Sequence, residues 1–323
     1  MPAPHRDPLD AAPRAAMPSV PEPMLATLTD DRFSDKNWIF EKKWDGVRCL
    51  AFRDDKGRVG LRSRNDLALD DRYPGVAAAV RTQVGTSAVL DGEVVAFRGK
   101  HTSFEELQQR AADTKVFYYV FDVLYLDGHD VRELPLRERK RLLRDHVHFD
   151  GSLRFTAHRN EAGEEEYRKA CERGDEGVIA KRAEAPYRPG RSKDWLKFKC
   201  VRNQELVIGG YTDPKGSRAA FGALLVGYFD GEDFVYAGKV GTGFDDKMLR
   251  DLHQRMSRIE RSTPAFTRGR LRVPRNGSMH FVEPELVAQF GFTEWTRDGM
   301  LRHPRYEGLR DDKAAREVVR ETR

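Results

Sequence analysis

The stretch KVFYYVFDVLYL, Lys115 to Leu126, constrains the fold most. It is rich in aromatic and β-branched residues and reads as a strand, with Tyr118, Tyr119 and Tyr125 as ordinary core. From Met24 to about Val201 similar runs, SAVLDGEVVAF and EGVIAKR, alternate with the amphipathic stretches SFEELQQRAAD and LRERKRLLRDH. That alternation predicts an α+β domain. After DWLKFKC the texture changes to strands and tight turns: ELVIGGYT, GALLVGYF, Asp230-Gly231, FVYAGKVG and MHFVEPELVAQFGFTEWT. One helix interrupts, at Asp245 to Ile259, with Met248, Leu249, Leu252, Met256 and Ile259 at helical spacing and Asp245 as its cap. The economical reading of this last third is a small β-barrel crossed by one helix, and an OB-fold is the commonest such barrel. Residues 1–23 carry seven prolines and little to bury, so they are expected as a flexible, Pro-rich tail. The expected domains are therefore 24–202 and 203–323.

At 323 residues with 39% hydrophobic content, each domain can bury a core. A net charge of +5 tilts the chain towards polyanions without establishing them. Cys49, Cys171 and Cys200 have no paired spacing, which argues against a disulfide framework and a four-cysteine zinc site, and fits a reducing cytosol. No run approaches the ~18 apolar residues of a membrane span, and the N-terminus has no apolar signal core.

Chemistry concentrates around EKKWDGVR, residues 41–48. The pattern K-x-D-G-x-R arises by chance in a chain of this length at a rate of roughly 0.002. One reading is an exposed hairpin with an Asp-Gly turn. The other makes Lys43 a nucleophile. A lysine of ordinary pKa is the free amine only about once in a thousand molecules at neutral pH, and Asp45 alone would worsen that. A working site therefore needs further cations around Lys43. VIAKR brings Lys181 and Arg182 on one strand, and WLKFK sets Lys197 and Lys199 on one strand face, either a solvated edge or a phosphate cradle. In VLDGEVVAF, alternation groups Asp91, Glu93 and Val95 on one face of a half-buried strand, and GDEGVIAKR does the same service for Glu176. Those carboxylates are either structural ion-pair partners or the oxygen ligands a divalent cation prefers beside phosphate.

Taken together, the motifs resemble those of the covalent nucleotidyltransferases, and within them the ATP-dependent DNA ligases. KWDGVR, SRND, LDGEVVAF, YVFDVLYLDG, DEGVIAKR, WLKFK and LRDDK follow in the family's order from Glu41 to Lys313. LRHPRYEGLRDDKAAREVV and FGALLVGYFDGEDFVYAGKVGTGF resemble in particular the ligase module of bacterial end-joining ligases. Asp66 stands where the family usually has glycine, and Asp175 where an aliphatic residue is common. The resemblance implies a nucleotidyltransferase (ATP-grasp-like ligase) domain of antiparallel sheets with helices, followed by an OB-fold.

It also implies roles. Lys43 would take AMP from ATP as a lysyl-adenylate, with Asp45 orienting it. Lys197 and Lys199 would hold the α-phosphate, with Lys181 against it. Glu176 would bind a metal, Mg²⁺ or Mn²⁺, and Glu93 the ribose or a second metal contact. Arg48, Arg64 and Arg191 would serve the nucleotide and the 5′-phosphate, while Glu41 and Phe121 grip adenine. Arg310, Asp312 and Lys313 would meet pyrophosphate when the barrel closes. Eight arginines between Arg250 and Arg275, among them Arg255, Arg258 and Arg261, form either a surface for the duplex backbone or a solvated face. The implied partner is nicked or broken double-stranded DNA, with Ku and a repair polymerase on other chains. A monomer in the cytoplasm, near the nucleoid, is expected. An RNA ligase, a capping-type guanylyltransferase and a non-catalytic DNA-binding scaffold are the competing readings. NAD⁺ as donor is disfavoured, because neither a nicotinamide-recognition domain nor a cysteine zinc module is seen.

Overall fold

The chain divides after Cys200 into two units, Met1–Cys200 and Val201–Thr322. The computed structural model describes residues 7–109, 114–200, 203–214, 220–274 and 278–321.

The first unit runs β1 (Met24–Leu28), β2 (Trp38–Lys42), β3 (Val47–Arg53), β4 (Val59–Ser63), α1 (Pro74–Gln83), β5 (Ala88–Arg98), β6 (His101–Thr102), α2 (Phe104–Gln109), β7 (Val116–Leu126) and β8 (His129–Asp130). There follow α3 (Leu136–His146), β9 (Leu153–Phe155), β10 (His158–Asn160), α4 (Gly163–Glu172), β11 (Gly177–Arg182) and β12 (Gly190–Lys199). Two sheets result. One has the order β1-β12-β11-β2-β10; the other has β4-β3-β5-β7-β8, with β6 on β5 and β9 on β7. Pairing is antiparallel except that β1 runs parallel to β12 and β9 to β7. The main core lies under the second sheet, where Cys49, Leu90, Val94, Tyr118 and Val120 meet Val76 and Val80 of α1 and Leu142 and Leu143 of α3.

Two expectations fail here. Residues 7–23 are not a free tail. Pro8–Ala11 form a 3-10 turn capped by Asp7, Leu9 and Ala12 enter the main core, and the Ala15 N–H donates to Gly128 O at 2.9 Å. Proline fixed this segment in extended form at little entropic cost, and the few apolar residues between prolines sufficed to dock it. Nor are the cysteines all free: Cys171 and Cys200 form a disulfide. Their 29-residue separation hid a pair that α4 and the end of β12 bring together.

The second unit comprises β13 (Asn203–Thr212), β14 (Leu224–Asp230), β15 (Asp233–Val240), α5 (Asp246–Ser257), β16 (Glu260–Arg261), β17 (Met279–Val282), β18 (Val287–Gly291), β19 (Glu294–Trp295), β20 (Leu301–Arg302) and β21 (Arg305–Leu309). β13 pairs with β14 along one edge, and with β18 then β17 along the other. It bends where its register shifts between Ile208 and Gly210, and this curls the sheet into the barrel of an OB-fold. Asp245 caps α5 by accepting the Met248 N–H at 2.7 Å, and Leu249, Leu252 and Met256 enter the barrel core, as their spacing predicts.

Candidate active site

β2, β11 and β12 lie side by side. Their register pairs Glu41 with Ile179 and Ile179 with Lys197, and likewise Lys181 with Ile39 and Trp195. The Lys43 N–H donates to Gly177 O at 2.9 Å, extending the ladder one residue beyond β2, and Gly177 pairs with Lys199. Because alternate residues share a face, Glu41, Lys43, Lys181, Trp195, Lys197 and Lys199 all belong to one side of this sheet. Trp38, Phe40, Val178, Ala180 and Phe198 take the other side, where they form a cluster with Ala170 of α4.

Asp45-Gly46 is not a hairpin turn, since β2 and β3 belong to different sheets. It is a close crossing. A Cβ on Gly46 would stand 2.1 Å from Val94 O of β5, so only glycine passes. Beyond it, Arg48 lies opposite Glu93, and Glu93 opposite Tyr119. Arg48 grips Asp91 with two prongs, at 2.5 and 2.6 Å, and Tyr187 donates its hydroxyl to the same carboxylate at 2.7 Å. The guanidinium is 4.6 Å from the Phe121 ring centre. Buried Phe121 and Trp195 meet edge to face, with ring centres 5.9 Å apart.

The electrostatics of Lys43 contradict the cationic pocket expected from sequence. Its amine pairs with Glu176. Burial works against the charge, but Glu176, Asp45 and Glu93 outweigh it and hold the pKa above that of an ordinary lysine. Two of the neighbouring lysines, Lys140 and Lys181, are instead paired with Glu41. Lys181, expected against a phosphate, lies 2.7 Å from Glu41 and within 4.1 and 4.0 Å of the Phe121 and Trp195 ring centres. Burial and the neighbouring Lys140 push its pKa down to about 8, against the pull of Glu41. Glu41 also binds Lys140, and these two lysines keep it ionised below the usual carboxylate range despite burial.

Among the described residues no cluster of three or more His, Cys, Asp or Glu could hold a metal by itself. The residues present nevertheless fit a divalent ion shared with a phosphate. The second carboxylate oxygen of Glu176 is buried with no hydrogen-bond partner in the protein, and half-buried Glu93 acts on the same amine. Magnesium characteristically uses one or two carboxylates plus substrate oxygens.

The remaining candidates are more scattered. Lys197 and Lys199 are half-buried, and Arg191 donates to Ala26 O at 2.8 Å. Arg64 occupies the turn after edge strand β4, where Asp66 adopts φ 60°, the left-handed conformation that explains the family's glycine there. Asp175, in place of an aliphatic residue, is tied to Lys42 at 2.6 Å and Arg173 at 2.9 Å. In the second unit Arg310 holds buried Asp312 through two contacts of 2.9 Å, and Lys313 lies 3.2 Å from Glu205. Of the arginine series, Arg255 pairs with Asp311, Arg261 with Glu283, and Arg258 is exposed at the end of α5. Arg275 lies outside the described residues.

Sequence reasoning missed Lys140 and the partners of Arg48. It also misplaced Tyr119, which is not core: half-buried, it stacks on Trp44 at 3.7 Å. For Lys140 a signal existed. It falls within the apolar stripe of α3 that Leu136 and Leu143 define, where an unpaired cation could not be buried.

An orientable lysine at the end of a sheet, an ionised carboxylate and aromatic rings beside it, and a following OB barrel define a covalent nucleotidyltransferase. Residues 23–199 match the model of the ATP dependent DNA ligase domain, and residues 217–313 that of the ATP dependent DNA ligase C terminal region. The chain belongs to the ATP-dependent DNA ligases. It is 35% identical to the multifunctional non-homologous end joining protein LigD of Pseudomonas aeruginosa, over 95% of this chain and 37% of that protein. The corresponding protein of Mycolicibacterium smegmatis is 36% identical over 92% of this chain and 39% of its own length. The chain thus spans about two fifths of these relatives. Among solved structures, mycobacterial DNA ligase D complexed with ATP and MES superposes with a TM-score of 0.68 at 33% identity, over 93% of this chain and 98% of that one. Among the described residues no helix is long and apolar enough to cross a membrane.

Proposed function

We propose that this ligase seals 5′-phosphate/3′-hydroxyl breaks in double-stranded DNA through an adenylate carried on Lys43. The observation that supports this most is the amine of Lys43 against Glu176, at the end of a strand row that also carries Lys197 and Lys199. The Lys43 ammonium gives a proton to solvent and the neutral amine attacks the α-phosphorus of ATP; a P–N bond forms, the nitrogen loses its second proton to solvent, the bond from that phosphorus to the bridging oxygen breaks, and pyrophosphate leaves with that oxygen. Lys197 and Lys199 hold the phosphates. Glu93 and Glu176 would hold a divalent ion, Mg²⁺ or Mn²⁺, which would supply charge neutralisation for the triphosphate. Glu176, with Asp45 and Glu93, favours the ammonium form of Lys43, so the side chain has to give up a proton before it attacks. Asp45 orients the amine, Glu41 accepts a hydrogen bond from adenine and Phe121 stacks on it, and Arg48, kept rigid by Asp91, stands beside the nucleotide with Arg191.

Protonation of the P–N nitrogen makes the lysine a leaving group. The 5′-phosphate of the break then takes AMP, with Arg64 holding that phosphate, and the 3′-hydroxyl finally attacks and releases AMP. Arg310, Asp312 and Lys313 act in the first step only, on the departing pyrophosphate, when the barrel closes. Arg255, Arg258 and Arg261 contribute to DNA backbone contact. The relatives' names motivate a role in end joining, in the cytoplasm near the nucleoid, by a monomer associating with Ku and a repair polymerase on separate chains.

Incubation with labelled ATP and magnesium, followed by peptide mapping, tests the chemistry. The label is expected on Lys43 and absent from Lys43→Ala, with the fold retained. Label on Lys181 instead, or none on intact protein, overturns it, and label from GTP alone restores the guanylyltransferase. Comparison of nicked duplex with cohesive ends, with and without ATP, tests the substrate, and a pull-down with each partner tests association.

A further inference from the structure

Lys140 is the one lysine of α3, and the helix turns it inwards, only 1% exposed. Its amine binds Glu41 of β2, the backbone carbonyl of Thr156 at 3.0 Å and that of Phe121 in β7 at 3.4 Å. The side chain thus ties together the two sheets of the first unit. It does so at the two residues, Glu41 and Phe121, that the functional reading assigns to the adenine base. A buried lysine costs several kcal/mol unless its charge is paired and its donors are used; here the carboxylate that pairs it is the one the functional reading places at adenine.

We propose that Lys140 is a positioning residue that sets the preference for adenine over guanine; this inference rests on the functional reading above. Lys140 pairs with one oxygen of Glu41 and Lys181 with the other, which fixes the carboxylate's orientation and favours its ionised form. An ionised carboxylate is an acceptor only, and each of its oxygens keeps a lone pair after one contact. It therefore accepts from the exocyclic amino group at C6 of adenine. Guanine presents a carbonyl oxygen at that position, and two acceptors facing each other in a buried site repel. Were Glu41 to lose Lys140, it could rotate or protonate, and a protonated carboxyl donates to the guanine carbonyl. The discrimination is thus a property of the pair.

Direct titration of the full chain with ATP and with GTP provides the measure, because it is independent of adduct formation. Relative to the parent protein, Lys140→Met is expected to weaken ATP binding about 10- to 100-fold and to reduce the ATP-to-GTP affinity ratio at least tenfold; Lys140→Arg restores part of both. In the labelling reaction KM for ATP should rise more than kcat falls. The double variant Glu41→Gln/Lys140→Met should match Glu41→Gln within about threefold, since Lys140 acts through Glu41. An unchanged affinity ratio in Lys140→Met, or additive effects in the double variant, overturns the inference and leaves a purely structural lysine. If Lys140→Met does not fold, Lys140→Arg and Lys140→Gln, checked by circular dichroism, decide by the same ratio. A parent protein that binds ATP over GTP yet forms no adduct sinks the ligase mechanism and not this pairing.

Discussion

Lys43 and Lys181 lie on the same face of one sheet, yet their amines are pushed in opposite directions: Lys43 is held charged by three carboxylates, while Lys181, walled by Phe121 and Trp195, falls to a pKa of about 8. The lysine that loses its proton more readily is therefore not the one proposed to carry the nucleotide. Lys181 is only 2% exposed, so access rather than basicity separates the two. The proposed mechanism therefore requires Lys43 to lose a proton before it can act as nucleophile.

Half-buried Arg48 and buried Asp91 form a two-pronged pair that also receives the Tyr187 hydroxyl. Removing one partner of such a pair leaves the other uncompensated. Asp91→Asn should destabilise the protein by about 3 kcal/mol, measured by urea unfolding, and should slow adduct formation. A loss below about 1 kcal/mol would show that Arg48 finds water or another acceptor.

His158 pairs across from Glu41, and burial, followed by Lys140, lowers its pKa to about 4. The unfolded histidine titrates near 6.5, so between pH 6.5 and about 4 the unfolded chain binds a proton that the folded chain refuses. Stability should therefore fall as pH drops through that window. After allowance for partial solvent access the loss is roughly 1–2 kcal/mol. Unfolding measured from pH 7 to pH 4 should slope less in His158→Asn; an identical slope excludes this histidine as the cause.

The Cys171–Cys200 disulfide closes a loop of 29 residues that contains Glu176, Lys181, Lys197 and Lys199. By loop-closure entropy it contributes about 3–4 kcal/mol when oxidised. Cys171→Ser/Cys200→Ser should melt lower than oxidised parent protein and no longer respond to dithiothreitol. Equal melting temperatures with and without reductant would mean that the pair stays reduced in solution.

Lys313 contacts Glu205 and is proposed to act only on pyrophosphate. Lys313→Ala should slow adduct formation by about 10²-fold while sealing of a pre-adenylated nick changes little. Loss of both steps would place Lys313 in the nick-sealing chemistry as well. Arg310 is a poorer probe, because its removal strands buried Asp312.

What could be read from the chain alone were the relations that local periodicity enforces. Lys197 and Lys199 share a face because strands alternate, Asp45-Gly46 announces a special backbone position, and the helix of the barrel shows its stripe at Leu249, Leu252 and Met256. The family motifs are short for the same reason: each sits on one strand or turn. Only the tertiary structure decided which charges meet. Lys140 and Glu41 are 99 residues apart, Arg48 and Asp91 are 43, and Tyr187 and Asp91 are 96. Whether an arginine or lysine is spent on a carboxylate or left for a substrate depends on the packing of two sheets and a helix. Charge balance in a buried site is a sum over neighbours in space, and sequence order does not carry it.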